Sequence, residues 1–207
     1  MPLTRADVVR TAVEVLDDEG LPGLTLRAVA TRLGVSAPTL YWHVRDKRHL
    51  LDLVAEQVLA EVPESTRAPR EGESVLQWLA ASVRLRRTLL LAHRDSVQVV
   101  AGNRPTDDSL PGIERTLSVL VDAGLEPGEA VRVITALGSF LLGDVLETQA
   151  AEERPREELR ARDLSALPTV VAATRTAGDD EQRFEEGLGL FLAGLQLRLE
   201  QRRAGRA

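Results

Sequence analysis

The residues best equipped for chemistry lie in one short stretch. Tyr41, Trp42 and His43 stand side by side in a chain that is only 3% aromatic, and Arg27, Arg32, Arg45, Lys47 and Arg48 surround them. Asp46 is the single acid between Thr25 and His49, so this segment carries a net charge of +4 in a chain whose overall charge is −6. A basic patch on an acidic protein attracts phosphate, while the acid elsewhere limits indiscriminate sticking. Consecutive helical positions point in different directions, so a core cannot absorb all three aromatics and at least one faces outward.

Enzyme chemistry has little to work with. Cysteine is absent, which excludes disulfides, thiolate metal sites and thiol nucleophiles. Of the three histidines, His43 and His49 belong to the basic segment, and His93 stands alone. No Gly-x-Ser-x-Gly elbow, phosphate loop or His-Glu-x-x-His is present. The paired acids Asp17-Asp18, Asp107-Asp108 and Glu152-Glu153 read as solvated faces. No catalytic residue, metal site or cofactor is expected. No charged-then-apolar leader opens the sequence, and charge interrupts every apolar stretch short of a membrane span, so a cytoplasmic protein is expected.

The elements that must position the aromatic cluster are helical. Val8, Val9, Ala12, Val13 and Leu16 form one stripe, with Thr4 and Asp7 as a capping box and Gly20, Pro22 and Gly23 as the stop. Thr25 caps a short helix over 26–33, which Gly34 ends. Ser36 caps a third helix from Ala37 to about Val44, with Pro38 in its first turn. Ala30 is small enough for a close helix crossing, and Val29, Leu33, Val35 and Leu40 can bury between the two helices. The outer face then presents Ala37, Pro38, Thr39, Tyr41, Trp42 and His43. This is the pattern of a helix-turn-helix, whose second helix enters the major groove. Tyr41 and His43 are expected to reach phosphate or base, with Trp42 partly packed.

Asp46 caps a fourth helix bearing Leu50, Leu51, Val54, Ala55, Val58 and Leu59. The polar stretch from Pro63 to Glu73 follows, and beyond it every periodic segment is again helical, over about 74–93, 95–101, 112–123, 127–150, 164–176 and 180–203. The segment from Gly102 to Pro111 reads as a loop, and Glu152 to Arg162 as a solvated charge run. The segment 127–150 is apolar nearly all round, so it is central or lies in an interface. Gly187, Gly189 and Gly194 each cost about 1 kcal/mol against alanine inside the last helix, which implies close approach of a partner helix and a subunit interface there. The expected fold is all-α, about ten helices in total. A three-helix helix-turn-helix domain over 1–48 precedes an effector-binding and dimerisation core over 49–207.

The segment from Leu3 to Leu59 resembles the N-terminal domain of the tetracycline repressor (TetR) family. The resemblance is carried by Pro38-Thr39-Leu40-Tyr41-Trp42-His43-Val44, then Asp46-Lys47-Arg48 and Leu50-Leu51. It is nearer to the tetracycline repressors than to members that carry Tyr-Tyr-His-Phe at those positions. Further matches to that type of core are Arg86-Arg87, Leu89-Leu90, Arg94-Asp95, Gly102-Asn103-Arg104-Pro105, Phe140-Leu141-Leu142-Gly143 and Leu146-Glu147. The resemblance implies a homodimer, a four-helix bundle made by the long and last helices with their mates, and a palindromic double-stranded operator. It also implies a small-molecule effector in the core.

By the same resemblance Thr25, Arg27, Ser36, Ala37, Pro38, Thr39, Tyr41, Trp42, His43 and Lys47 fall at DNA-binding positions. Arg27 is the expected guanine reader, since bidentate Arg–guanine contacts are the commonest specific ones. Thr39, Tyr41 and Lys47 are expected on phosphate. Ala37 replaces a base-reading amide and Leu26 a hydroxyl, so a different operator sequence is expected. Ligand-binding positions fall on Ala81, Leu85, His93, Val100, Asn103, Arg104, Pro105, Thr116, Val131, Ile134 and Glu147. Pro63, Ala81, Leu85, Val100 and Thr116 replace the polar and metal-binding groups of the tetracycline repressors. Val100 stands in place of a histidine ligand and has no lone pair to donate. The expected effector is therefore an organic, largely apolar molecule other than magnesium–tetracycline. Arg104 and Glu147 are either effector contacts, a structural ion pair or surface charges. A dimer covering a promoter represses by occlusion, so a repressor is expected. The rival reading is a helical ligand- or protein-binding module that does not bind an operator.

Overall fold

The computed structural model describes residues 3–60, 68–153, 166–176 and 178–205. Ten helices and no strand are present among them: α1 (Arg5–Gly23), α2 (Leu26–Leu33), α3 (Ala37–Leu40), α4 (Lys47–Ala60), α5 (Val75–Ala92), α6 (Ser96–Ala101), α7 (Leu110–Asp122), α8 (Pro127–Glu153), α9 (Pro168–Thr176) and α10 (Asp180–Ala204). The chain packs as two compact units, Met1–Leu120 and Val121–Ala207. Pro63, most of the charge run from Glu152 to Arg162, and the start of the helix expected from Leu164 lie outside the described residues.

In the first unit α1 begins with the expected capping box. The Thr4 hydroxyl accepts the Asp7 N–H, and the Asp7 carboxylate accepts the Thr4 N–H. The Thr4 hydroxyl also donates to the Asp7 carboxylate at 2.6 Å, and that bond, with the Thr4 N–H, holds the Asp7 carboxyl below its ordinary range. The stripe Val8, Ala12, Val15 and Leu16 is fully buried. Gly20 interrupts α1 with φ +72° and ψ 177°, and the chain kinks there before Pro22. Its left-handed backbone is one requirement for glycine. The other is space, since a Cβ at Gly20 would stand 2.8 Å from the Asp95 carboxylate.

The helix α4 packs against α1, α5 and α6. Asp46 caps it through the His49 N–H at 2.8 Å. Leu50, Val54, Ala55 and Val58 are buried as their spacing predicts, but Asp52 is buried among them. The helix expected from Ala37 to Val44 is shorter than the sequence indicates. It ends at Leu40, and the next three N–H groups bond three residues back: Tyr41 to Pro38, Trp42 to Thr39 and His43 to Leu40. The chain has tightened into turns that leave the aromatic cluster at a corner. Ser36 precedes α3 without capping it, because its hydroxyl pairs with that of Thr39 at 2.8 Å.

In the second unit α8 and α10 run along each other. Phe140 stacks on Phe184 with ring centroids 5.8 Å apart. At the other end Arg202 and Arg198 reach the Glu129 carboxylate at 2.8 and 3.6 Å, and Arg202 holds that carboxyl below its ordinary range. The three glycines of α10 divide. A Cβ at Gly187 would lie 2.6 Å from the Phe140 ring, so this glycine makes room for α8 within the protomer. Gly189 and Gly194 face open space, as do the exposed side chains of Leu190 and Leu197.

Alanine at Gly187 gains about 1 kcal/mol of helix propensity but drives into the Phe140 ring. Gly187→Ala should therefore lower the melting temperature in the wild-type background and raise it in a Phe140→Leu background. Additive effects of the two changes would show that the contact carries no energy.

Candidate nucleic-acid interface and its coupling to the core

The helix-turn-helix is assembled from local bonds. Thr25 caps α2 by accepting the Ala28 N–H at 3.0 Å. Gly34 adopts φ +68° and ψ 28°, its N–H turning back to Ala30 and Thr31 while the Val35 N–H reaches Ala30 at 3.0 Å. This left-handed close is what lets α3 follow α2 at a sharp angle. Val29, Ala30 and Leu40 are buried at the crossing, and Leu33 and Val35 are half-buried.

Around that frame the expected DNA-binding residues differ in exposure. Arg27, Ser36, Pro38, Tyr41, Trp42 and Lys47 are exposed, and Thr25, Ala37, Thr39 and His43 are half-buried. Thr25 and Arg27 share a shallow depression at the start of α2. Trp42 corrects the expectation of partial packing. It is 88% exposed, more than Tyr41 at 59%, because the turns after Leu40 swing it away from α2. Exposed side by side, Tyr41 and Trp42 form an amphipathic aromatic surface of the kind that suits a partner.

The basic segment is less uniformly available than its charge count implies. Arg32 is tied to Asp18 at 2.5 Å and to Glu19 at 3.4 Å, and Arg48 to Asp52 at 3.0 Å. Arg27, Arg45 and Lys47 form no ion pair among the described residues. These three cations flank the N-terminal turns of α2 and α4 beside the aromatic corner.

Four carboxylates fix this end of the unit to the segment 93–106, and sequence reasoning passed over their roles. Asp17 of α1 meets His93 Nδ1 at 3.0 Å and accepts the Arg94 N–H at 3.2 Å. Asp95, in a left-handed conformation at φ 53°, accepts the Leu21 N–H at 2.8 Å. Asp52 of α4 accepts the Arg104 N–H at 3.1 Å. Glu56, one turn further, accepts both the N–H and the hydroxyl of Thr106 at 2.6 and 2.7 Å. The spacing of Asp52 and Glu56 carried the available signal: two acids four apart, the first within an otherwise apolar stripe.

The expected ligand-binding residues fall into two groups. In the first unit Ala81, Arg104 and Pro105 are exposed, and Leu85, His93, Val100, Asn103 and Thr116 are half-buried. His93 is engaged at the Asp17 joint, and the Thr116 hydroxyl donates to the Gly112 carbonyl at 3.0 Å. Asn103 Oδ1 is buried and is the one such side-chain atom without a hydrogen-bond partner among the described residues. In the second unit Ile134 is half-buried, and Val131 and Glu147 are exposed. No cluster of three or more potential metal-ligating side chains occurs among the described residues, and no described helix is long and apolar enough to cross a membrane.

Comparison with known proteins decides what this arrangement is. The family pattern for bacterial regulatory proteins of the tetR family matches residues 8–54, and the pattern for the tetracyclin repressor-like C-terminal domain matches residues 68–199. The chain belongs to the TetR family. It is 36% identical over 200 residues to the tetracycline repressor protein class C of Escherichia coli, covering 94% of this chain and 91% of that protein. Apo ActR from Streptomyces coelicolor superposes with a TM-score of 0.82 at 31% identity, covering 97% and 98% of the two chains. The class A TetR, solved with 5a,6-anhydrotetracycline and magnesium, superposes with a TM-score of 0.71 at 34% identity, covering 94% and 98%. This TetR-family chain is a ligand-responsive, DNA-binding transcriptional regulator.

The carboxylate clasp predicts a local effect separable from global stability. Glu56→Ala strips two donors of Thr106, and hydrogen exchange at the Thr106 and Arg104 amides should accelerate at least tenfold, the equivalent of ~1.4 kcal/mol of local opening. The amides of α1 should be unchanged. Uniform acceleration across the unit would show that Glu56 supports the whole fold and not this joint.

Proposed function

We propose that this regulator is a homodimeric repressor of a palindromic operator, released by a largely apolar organic effector that binds without a metal ion. The observation that carries the DNA-reading half is the exposed pair Tyr41 and Trp42 with three cations, Arg27, Arg45 and Lys47, that form no ion pair among the described residues. Arg27 reads guanine, Tyr41, Thr39 and Lys47 hold phosphate, and Ser36, Ala37, Pro38 and His43 face the groove. Trp42 lies flat on the sugar–phosphate edge with its N–H toward phosphate. In this reading residues 1–48 are the reading head and 49–207 the effector-binding and dimerisation core.

Repression is supported by the relatives: the class C protein is named a repressor, and occlusion of a promoter needs no further machinery. Dimerisation through α10 is supported by Leu190, 77% exposed, with Leu197, Gly189 and Gly194 on the same helix. A metal-free effector is supported by Val100, which offers no lone pair. ActR, similar along nearly the whole chain, was solved in complex with actinorhodin, a precedent for an organic ligand other than a tetracycline. The effector contacts proposed in the first unit are Ala81, Leu85, Val100, Asn103, Arg104, Pro105 and Thr116, and Val131, Ile134 and Glu147 of the second unit are proposed on the resemblance alone. His93 joins them from the Asp17 joint. Action on DNA places the protein in the cytoplasm, and no reaction chemistry is assigned to it.

Release follows from the clasp. An effector that moves the loop 102–105 pulls on Asp52 and Glu56, and hence on α4, whose first turn carries Lys47. The two recognition helices of the dimer then miss successive major grooves, which lie ~34–36 Å apart.

Anisotropy titrations on a duplex selected by the wild-type protein test the role assignment. Arg27→Ala should cost about 1–3 kcal/mol and relax preference at one base pair per half-site. Lys47→Ala should weaken binding to all sequences and lower the salt slope by about one. Arg32→Ala, whose charge is already spent on Asp18 and Glu19, should leave the salt slope unchanged. Equal effects of all three changes on every sequence would contradict the assignment.

A further inference from the structure

Three helices of this chain, α1, α5 and α10, begin with a reciprocal capping box. The capping residue accepts the N–H three positions on, and the side chain at that position, Asp7, Gln77 or Gln182, accepts the N–H of the cap in return. Each returning group is a carboxylate or an amide oxygen. The start of α4 repeats the pattern with an imidazole. Asp46 Oδ1 accepts the His49 N–H at 2.8 Å, and His49 Nδ1 accepts the Arg45 N–H, one residue before the cap, at 3.2 Å. These two bonds are the only polar contacts of His49 among the described residues.

An imidazole nitrogen accepts a hydrogen bond only while it carries no proton. The bond to Arg45 therefore places the single ring proton on Nε2. A second proton would meet the Arg45 N–H donor to donor. It would also add charge at a helix N-terminus, beside Arg45, Lys47 and Arg48, of which only Arg48 is paired, with Asp52. The helices packed against α4 send no charged group to the ring. Asp7, Asp17, Asp18 and Glu19 of α1 are engaged with Arg10, His93 and Arg32, α6 carries no charge, and the arginines of α5 make no bond to His49. The turn closed by this box runs from Val44, which is buried, to Lys47, so it sets two exposed cations against the turns that carry Tyr41 and Trp42.

We propose that His49 is a positioning residue of the reading head, which holds the turn 44–47 closed only while its ring is uncharged, so that discrimination between operator and other DNA falls in acid. A protonated ring gives up the Arg45 N–H, the turn opens, and Arg45 and Lys47 lose their fixed placement relative to Tyr41 and Trp42. The added charge attracts any duplex, whatever its sequence. Specific binding therefore loses while non-specific binding gains. The inference rests on DNA binding by this head and takes nothing from the identity of the effector.

The test titrates the full chain onto a duplex selected by the wild type and onto a scrambled duplex of the same length, at about pH 8 and about pH 5.5, between which imidazole gains its proton. The ratio of the two affinities in the wild type should fall at least about fivefold in acid, the worth of one net hydrogen bond. His49→Gln returns an oxygen that needs no lone-pair nitrogen, and its ratio should change by less than about twofold over the same range. His49→Phe fills the space but accepts nothing, and should discriminate in alkali as poorly as the wild type does in acid. Nitrogen NMR of the imidazole gives a readout without DNA, with the proton expected on Nε2 in the uncharged ring. A proton on Nδ1, a His49→Phe ratio equal to the wild type in alkali, or a His49→Gln ratio that falls in acid as the wild type's does would each overturn the proposal. The last result would assign the effect to another group, such as His43 or His93. A wild-type ratio that ignores pH removes the positioning role alone, whereas a wild type that prefers neither duplex at either pH contradicts operator binding itself and takes the positioning role with it.

Discussion

The structure of the first unit depends on carboxylates accepting backbone N–H groups. Asp17, Asp52, Glu56 and Asp95 each tie one part of the unit to another distant in sequence, through the N–H groups of Arg94, Arg104, Thr106 and Leu21. Hydrogen bonds to a charged acceptor are worth about 1.5–3 kcal/mol each, so together they outweigh the 1–3 kcal/mol typical of coupling between two sites. They are also directional. A packed apolar contact tolerates sliding, but a carboxylate that accepts two donors from Thr106 moves with that residue. The reading head thus has no independent position, because the segment 93–106 sets it. A regulator needs this property more than it needs stability.

Charge is sorted along the same lines. The chain is acidic overall, yet Arg27, Arg45 and Lys47, exposed and without an ion pair among the described residues, belong to the segment that carries Tyr41 and Trp42. Arg32 and Arg48 look like members of that patch in the sequence, but they are absorbed by Asp18, Glu19 and Asp52. A smaller set of free cations gives a shallower dependence on salt than the raw count suggests, and leaves relatively more of the discrimination to base contacts.

Much of this was legible before the structure. The capping box of α1, the Gly34 turn and the stripes of α1 and α4 follow from short-range rules, and the structure reproduces them because each depends on neighbours within four residues. What escaped depends on contacts distant in sequence. Helical periodicity carried the third helix through Val44, whereas the chain tightens after Leu40 and turns Trp42 outward. Gly187 was read only for a subunit contact, and its relief of the Phe140 ring within the protomer was not foreseen. The roles of Asp52 and Glu56 required knowing that the loop at 104–106 lies against α4, which no local pattern states. The helix-turn-helix was readable because its chemistry and its spacing are both local. The effector site was readable only by resemblance, because its residues come from several elements.

The central claim is that this head reads a palindrome as a dimer. In vitro selection from a random DNA pool, with the purified protein at near-physiological salt, tests it directly. Enrichment of an inverted repeat whose half-sites lie about one helical turn apart, ~34–36 Å, is the predicted result. A folded, dimeric protein that enriches no sequence, or only a single asymmetric half-site, would contradict it.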